Sequence, residues 1–204
     1  VYMYWKTYAG LLLMILSFHY LPRKPWLGIF FAFYCIGTHH QTGLLLLLCL
    51  GSWWICEGYK KQWNMQTWLK PTLICLGIGC GAALWYLPSC LEFVATQLRL
   101  LLGLTDQEVY GGAFASPVYF LAVNGILILF GIYGFILSFE HEKGSLWQWA
   151  VFWSAVFVIF RLYFYRRFFL QLDFFLLPFA AFALYSIRSS FKHQTVRTIL
   201  ITLL

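Results

Sequence analysis

The stretch GTHHQTG, residues 37–43, interrupts an apolar segment that covers residues 26–56. A single helix of that length would extend about 46 Å at 1.5 Å per residue, whereas the hydrocarbon core of a bilayer is roughly 30 Å thick. Such a helix would also bury the polar block Thr38–Thr42 near its middle. The sequence therefore predicts a helical hairpin that breaks at this block, with short arms over 26–37 and 43–56.

The composition predicts an integral, multi-pass membrane protein. Hydrophobic residues make up 62% of the chain and charged residues 10%, whereas soluble domains carry about 25% charged residues. Ten Trp and thirteen Tyr cluster near the ends of apolar runs, where aromatic rings anchor at the headgroup level. We interpret the net charge of +7 as a topology signal that gives no indication of a nucleic-acid partner. In a prokaryote the protein would lie in the cytoplasmic membrane.

Other apolar runs are long enough to form membrane helices of roughly 20 residues. They lie near 4–21, 69–88, 116–138, 146–161 and 167–187, and a further run begins near 196. Together with the hairpin, they predict an all-α, polytopic transmembrane bundle of about six to eight membrane helices. We treat residues 1–204 as a single transmembrane domain. Because the chain begins without Met and stops within an apolar run, we interpret it as a fragment of a longer protein.

The distribution of Lys and Arg favours the hairpin. With a hairpin, nine of the fourteen Lys and Arg residues fall on one face of the membrane and five on the other. An unbroken helix over 26–56 would give eight against six. Basic residues concentrate on the cytoplasmic side, so the face with nine is predicted to be cytoplasmic. Thr38–Thr42, the loop 89–115 and the junction 161–167 then share the non-cytoplasmic side.

The loop 89–115 combines two kinds of sequence. Leucine and valine residues in its first half recur at the 3.6-residue spacing of an amphipathic helix lying on a surface. The second half carries acidic residues, including Glu108, followed by glycines, and this composition is typical of a mobile segment. One interpretation is a substrate gate that holds an acidic residue over a basic pocket. The alternative is an ordinary external loop.

His39, His40 and Gln41 are candidate ligand-binding residues. A neutral imidazole and an amide can hydrogen-bond to phosphate oxygens or sugar hydroxyls. Two alternatives stay open: the residues cap short helices at a wet interface, or one histidine binds a haem or chlorin. On a regular helix adjacent histidines point about 100° apart and would not bind one metal together.

The segment FRLYFYRRFFLQLD, residues 160–173, carries a second candidate site. Arg161, Arg166 and Arg167 offer planar guanidinium groups that match phosphate oxygens, although snorkelling at the interface would also explain them. Asp173 follows on the same helix, where a buried carboxylate needs a cationic or hydrogen-bonding partner. Pairing with an arginine and a catalytic role are the two interpretations of Asp173.

These motifs resemble those of the GT-C superfamily of membrane glycosyltransferases. TDQE, residues 105–108, looks like the Thr-x-x-Glu external-loop motif of oligosaccharyltransferase catalytic subunits. RRFFLQLDFFLLPFAAFAL, residues 166–184, looks like their late helix, whose arginine contacts a lipid-linked pyrophosphate. The short broken helices around THHQTG also resemble the later membrane half of these enzymes.

The resemblance implies a transferase that takes a sugar or oligosaccharide from a polyprenyl phosphate or pyrophosphate at the non-cytoplasmic face. Glu108 would organise a divalent metal, Mg or Mn, or the acceptor, and would be the catalytic residue of this segment. One of the three arginines would bind the phosphate, and His39 or His40 would touch phosphate or sugar. The family's acidic catalytic motif lies in a first external loop, which is expected upstream of Val1.

Other classes of protein remain open from the sequence. O-antigen ligases and polymerases also combine external Arg and His residues with many helices. A non-enzymatic accessory membrane subunit or a transporter is the third class, and other membrane subunits are possible partners. A transporter often shows two self-similar halves, and this sequence contains no such repeat.

Overall fold

The described part of the chain is a bundle of seven α-helices without a strand. The computed structural model describes residues 2–60, 64–86, 95, 98–99, 117–141, 144–162 and 165–190. The helices are α1 (Tyr2–Tyr20), α2 (Pro25–Thr38), α3 (His40–Lys60), α4 (Met65–Tyr86), α5 (Pro117–His141), α6 (Leu146–Ile159) and α7 (Tyr165–Ser190). The all-α prediction is confirmed for these residues, and each helix lies close to a predicted apolar run.

Three of the helices are long and apolar enough, by length and composition, to cross a membrane. These segments are His40–Lys60, Val118–Glu140 and Arg167–Ser189. Helices α2 and α6 are apolar but have only 14 residues each. The predicted external loop falls almost wholly outside the described residues, and so does the run that begins near 196.

Helices α1 and α2 pack antiparallel. The Ser17 hydroxyl donates to the Gly28 carbonyl at 3.1 Å, and the Cys35 thiol donates to the Gly10 carbonyl at 3.3 Å. In both bonds a side chain donates to a backbone carbonyl of the neighbouring helix, so polar side chains are satisfied within an apolar interface. The N-terminal part of α1 therefore lies beside the C-terminal end of α2.

Helices α2 and α3 form the predicted hairpin. A Cβ placed on Gly43 would lie 2.8 Å from the Ile36 Cα. In one continuous helix, residues seven positions apart are separated by about 10 Å along the axis, so the chain has folded back on itself. Glycine is needed at position 43 because a side chain would collide with the α2 backbone.

Helix α4 returns beside α3, and α6 also packs against α3. The Trp54 indole donates to the Thr72 hydroxyl at 3.0 Å, and the Cys75 thiol donates to the Leu50 carbonyl at 3.8 Å. These two contacts show that α4 runs antiparallel to α3. At the start of α6, a Cβ on Gly144 would lie 3.0 Å from the Cys56 Sγ. The beginning of α6 and the end of α3 are therefore at the same end of the bundle.

Helices α5 and α7 are parallel neighbours in close contact. The Phe120 and Phe169 rings are 4.5 Å apart near the start of both helices. Further along, a Cβ on Gly134 would overlap the Phe179 carbonyl oxygen. Small residues allow membrane helices to approach backbone to backbone, and Gly134 has this function here.

The bundle thus has two distinct ends. We define the connector end as the end that holds residues 38–42, the end of α6 and the start of α7. The Phe157 and Phe168 rings stack there 4.2 Å apart, between α6 and α7, and Gln171 of α7 bonds to Thr42. The opposite end holds the α1–α2 turn at 21–24 and the start of α6. Residues 38–42 and the described residues of 161–167 therefore lie at the same end of the bundle, and their placement on one side of a membrane stays a prediction.

Candidate polar site at the connector end

His39 is the hinge between α2 and α3. Its backbone is extended, with φ −149° and ψ 105°, and it is the single residue between the two helices. Its carbonyl accepts the first hydrogen bond of α3 from the Gly43 amide at 2.9 Å. The ring Nδ1 accepts from the Thr42 amide at 3.3 Å, as an N-cap side chain does at the third helical position.

This cap corrects the prediction of a polar break across Thr38–Thr42. Because the His39 ring caps the next helix, α3 resumes at once, and His40, Gln41 and Thr42 occupy its first turn. The break is one residue long, and the other polar residues of the block are helical. The capping alternative from the sequence analysis therefore describes His39, although histidine is not among the common N-cap residues.

The His39 ring connects three helices through hydrogen bonds. The Thr42 Oγ1 lies 2.9 Å from Nδ1, and the Thr7 Oγ1 of α1 lies 3.3 Å from Nε2. Since Nδ1 accepts from a backbone N–H, the proton of the ring is on Nε2, which donates to Thr7, and the imidazole is neutral. The Gln171 amide of α7 donates to the Thr42 hydroxyl at 3.2 Å.

Three side chains that can carry positive charge, one from each of three helices, lie near this network. Lys6 of α1 precedes Thr7, and Arg167 of α7 lies one helical turn before Gln171, on the same face. Lys6 and Arg167 are both within electrostatic reach of His39. The rings of His39 and His40 are 5.6 Å apart, and Arg167 is also within electrostatic reach of His40. The structure thus brings His40 and Arg167 together and adds Lys6, which sequence analysis did not identify.

Two buried glutamines lie in the same region. Gln41 and Gln171 are both 0% exposed. Within the described part of the chain, the Gln41 Nε2 and Oε1 and the Gln171 Oε1 have no hydrogen-bond partner. A buried polar group without a partner costs about 1–3 kcal/mol, so these three amide atoms destabilise the connector end unless a ligand satisfies them.

Both ring nitrogens of His39 are engaged within the protein, and the residue is only 7% exposed. Its bonds make it the cap and hinge of the α2–α3 connection. A direct contact of His39 with phosphate or sugar stays a prediction, and His40 is the better placed of the two histidines. His40 is only partly buried.

The remaining predicted residues occupy different positions. Arg161 is exposed at the connector end and adopts a left-handed φ of 53° just after α6. Arg166 lies in α7, but its side chain is outside the described part. Among the described residues Asp173 makes no ion pair, and its Oδ1 is buried without a hydrogen bond. Asp173 therefore does not pair with Arg167, which lies six positions earlier, about 9 Å along the helix axis. Pairing of Asp173 with Arg166 stays a prediction.

The predicted metal site cannot be built from the described residues. Glu108 lies outside them, and within them no group of three His, Cys, Asp or Glu side chains could hold a metal ion. The Mg or Mn ion therefore stays a prediction that depends on the resemblance.

Sequence reasoning missed Lys6, Thr7 and Gln171. Lys6 and Thr7 interrupt the first apolar run, and Gln171 is uncharged between two charged candidates. A polar residue inside an apolar run was the only signal, and it did not indicate which helices would meet.

Comparisons with protein-family models, curated proteins and solved structures found no match.

Proposed function

We propose that this chain is the membrane-embedded part of a GT-C-like glycosyltransferase, with its helices crossing the bilayer as a multi-pass bundle. It would bind a polyprenyl phosphate or pyrophosphate that carries the sugar at the connector end. The observation that carries this proposal is the convergence of Lys6, His40 and Arg167 from three helices around the capped hinge.

The charge of the cluster favours an anionic ligand. Asp173, Glu57 and Glu140 are the acidic residues in the described part, and the last two lie toward the opposite end. The N-terminus of α3 adds the positive end of its helix dipole beside His40. A guanidinium such as that of Arg167 provides paired donors that fit two oxygens of a phosphate group.

The depth of the cluster favours a lipid-linked anion. Helices α2 and α6 have 14 residues each and both end at the connector end. At 1.5 Å per residue each would span about 21 Å, which is less than the roughly 30 Å of hydrocarbon. The polar site would then lie recessed, at a depth that the headgroup of a membrane lipid reaches from the side.

The orientation follows from the basic residues. Arg23, Lys24, Lys60 and Arg188 lie in or beside segments at the opposite end, which would therefore face the cytoplasm. The connector end would face the non-cytoplasmic side, where the proposed sugar donor is presented.

The chemistry requires stabilisation of a departing phosphate and a carboxylate that positions the acceptor. Arg167, Lys6 and His40 would stabilise the phosphate charge. Glu108 would supply the carboxylate, by resemblance to the external-loop motif. A divalent metal would add further charge neutralisation, and the described residues support no step through it.

Replacing Arg167 by Gln tests the proposal. We expect the variant, in lipid nanodiscs, to bind heptaprenyl pyrophosphate at least tenfold more weakly, because a charge-assisted hydrogen bond contributes about 1.5–3 kcal/mol. Arg188→Gln is the matched control, since Arg188 is an exposed arginine at the other end of the same helix. Equal affinity of wild type and both variants, measured by equilibrium titration, would contradict the proposal.

A further inference from the structure

We infer that Gln41 and Gln171 form a subsite for the hydroxyl groups of the sugar, next to the phosphate-binding cluster. This inference rests on the proposed function, because it names the part of the lipid-linked donor that lies beyond its phosphate. Neither glutamine is explained by the packing of the bundle alone, since both are fully enclosed and three of their four amide heavy atoms have no partner among the residues that the structure describes.

The hydrogen bonds of the hinge fix which atoms are unsatisfied. The Thr42 hydroxyl lies 2.9 Å from the His39 Nδ1 and 3.2 Å from the Gln171 Nε2. Because the Gln171 Nε2 donates to the Thr42 hydroxyl, the Gln171 Oε1 is the unsatisfied acceptor. Gln41 adds one unsatisfied acceptor and one unsatisfied donor group.

The unsatisfied amide atoms of Gln41 and Gln171 indicate which chemical groups of a ligand could bind to them. Ionised phosphate oxygens only accept hydrogen bonds, so they would leave the two amide oxygens unsatisfied. An ammonium group or a metal cation would satisfy amide oxygens, but the nearby charges of Lys6 and Arg167 would repel it. A hydroxyl group both donates and accepts. Sugar hydroxyls can therefore bond to the donor of Gln41 and to the amide oxygens of Gln41 and Gln171, and they carry no charge that Lys6 and Arg167 would repel.

The positions of the glutamines place this subsite beside the phosphate. Gln41 follows His40 in the first turn of α3, and Gln171 lies one turn after Arg167 in α7. A sugar joined directly to a phosphate has its hydroxyls within a few ångströms of that phosphate. Since both amides are enclosed, entry of the sugar requires the first turn of α3 to move at the His39 hinge.

Gln41→Met is the test variant, since methionine keeps the length of glutamine and removes its hydrogen-bonding atoms. The probes are heptaprenyl phosphate and its mannosyl and N-acetylglucosaminyl esters, titrated against full chain in nanodiscs. We expect wild type to bind at least one ester about tenfold more tightly than the bare lipid. Gln41→Met should lose that difference and bind the bare lipid as wild type does. The ligand-free variant should also melt at a higher temperature, because an unsatisfied buried amide has been removed.

The outcomes separate this inference from the proposed function. If Arg167→Gln weakens all three lipids while Gln41→Met retains the wild-type preference for an ester, the subsite is wrong and the phosphate site stands. Equal binding of bare lipid and both esters by wild type would also overturn the subsite alone. If none of the lipids binds to wild type, the proposed function fails, and the inference fails with it.

Discussion

At the scale of single residues, the connector end depends on His39. The ring caps α3, donates to α1 and, through Thr42, meets α7. These bonds require a neutral imidazole with its proton on Nε2. His39, which the sequence analysis predicted as a ligand-binding residue, thus mainly positions its neighbours His40 and Gln41.

Two substitutions of His39 separate its capping function from its other contacts. We expect His39→Ala to lower the free energy of unfolding by about 2–3 kcal/mol, because it removes a helix cap and leaves buried hydroxyls with fewer partners. Asparagine is a good N-cap, so His39→Asn should recover about 1 kcal/mol of that loss. Thermal unfolding in detergent measures both variants. Equal destabilisation by Ala and Asn would show that capping does not contribute.

At the scale of the helices, the contact between α5 and α7 depends on glycine. The α5 backbone at Gly134 is so close to the Phe179 carbonyl that no side chain fits between the two helices. The adjacent close contact of Gly131 with the Leu176 side chain extends the same interface. Parallel packing of α5 against α7 therefore requires small residues at these two positions of α5.

Gly134→Ala should separate the two helices. We expect it to destabilise the protein by at least about 2 kcal/mol, since the added methyl group would meet backbone, which cannot rotate away. Gly125→Ala is the control, because a Cβ there has nothing within 4 Å, and alanine favours helix over glycine by up to about 1 kcal/mol. If thermal unfolding shows Gly134→Ala to be as stable as Gly125→Ala, the close packing of α5 on α7 is wrong.

At the scale of the whole molecule, the hairpin sets the topology. If α2 and α3 each cross the bilayer, Thr38 and Lys60 lie on opposite sides, and Arg188 lies on the side of Lys60. Single cysteines at these three positions, in a chain whose six native cysteines have been replaced, should react accordingly with a membrane-impermeant maleimide. We expect labelling from outside at position 38 and protection at 60 and 188. Labelling of positions 38 and 60 from the same side would exclude the hairpin.

The sequence by itself determined the helices and the break between two of them. Apolar runs, their lengths and the polar block after Gly37 depend on local composition, because backbone groups in an apolar environment must bond within their own helix. Candidate residues such as His40 and Arg167 could be predicted too, since charged and polar groups are rare in apolar runs. Only the tertiary structure decided which of them meet. Lys6 and Thr7 of α1 and Gln171 of α7 joined the hinge residues, because these contacts depend on how α1, α3 and α7 pack, which no local pattern encodes.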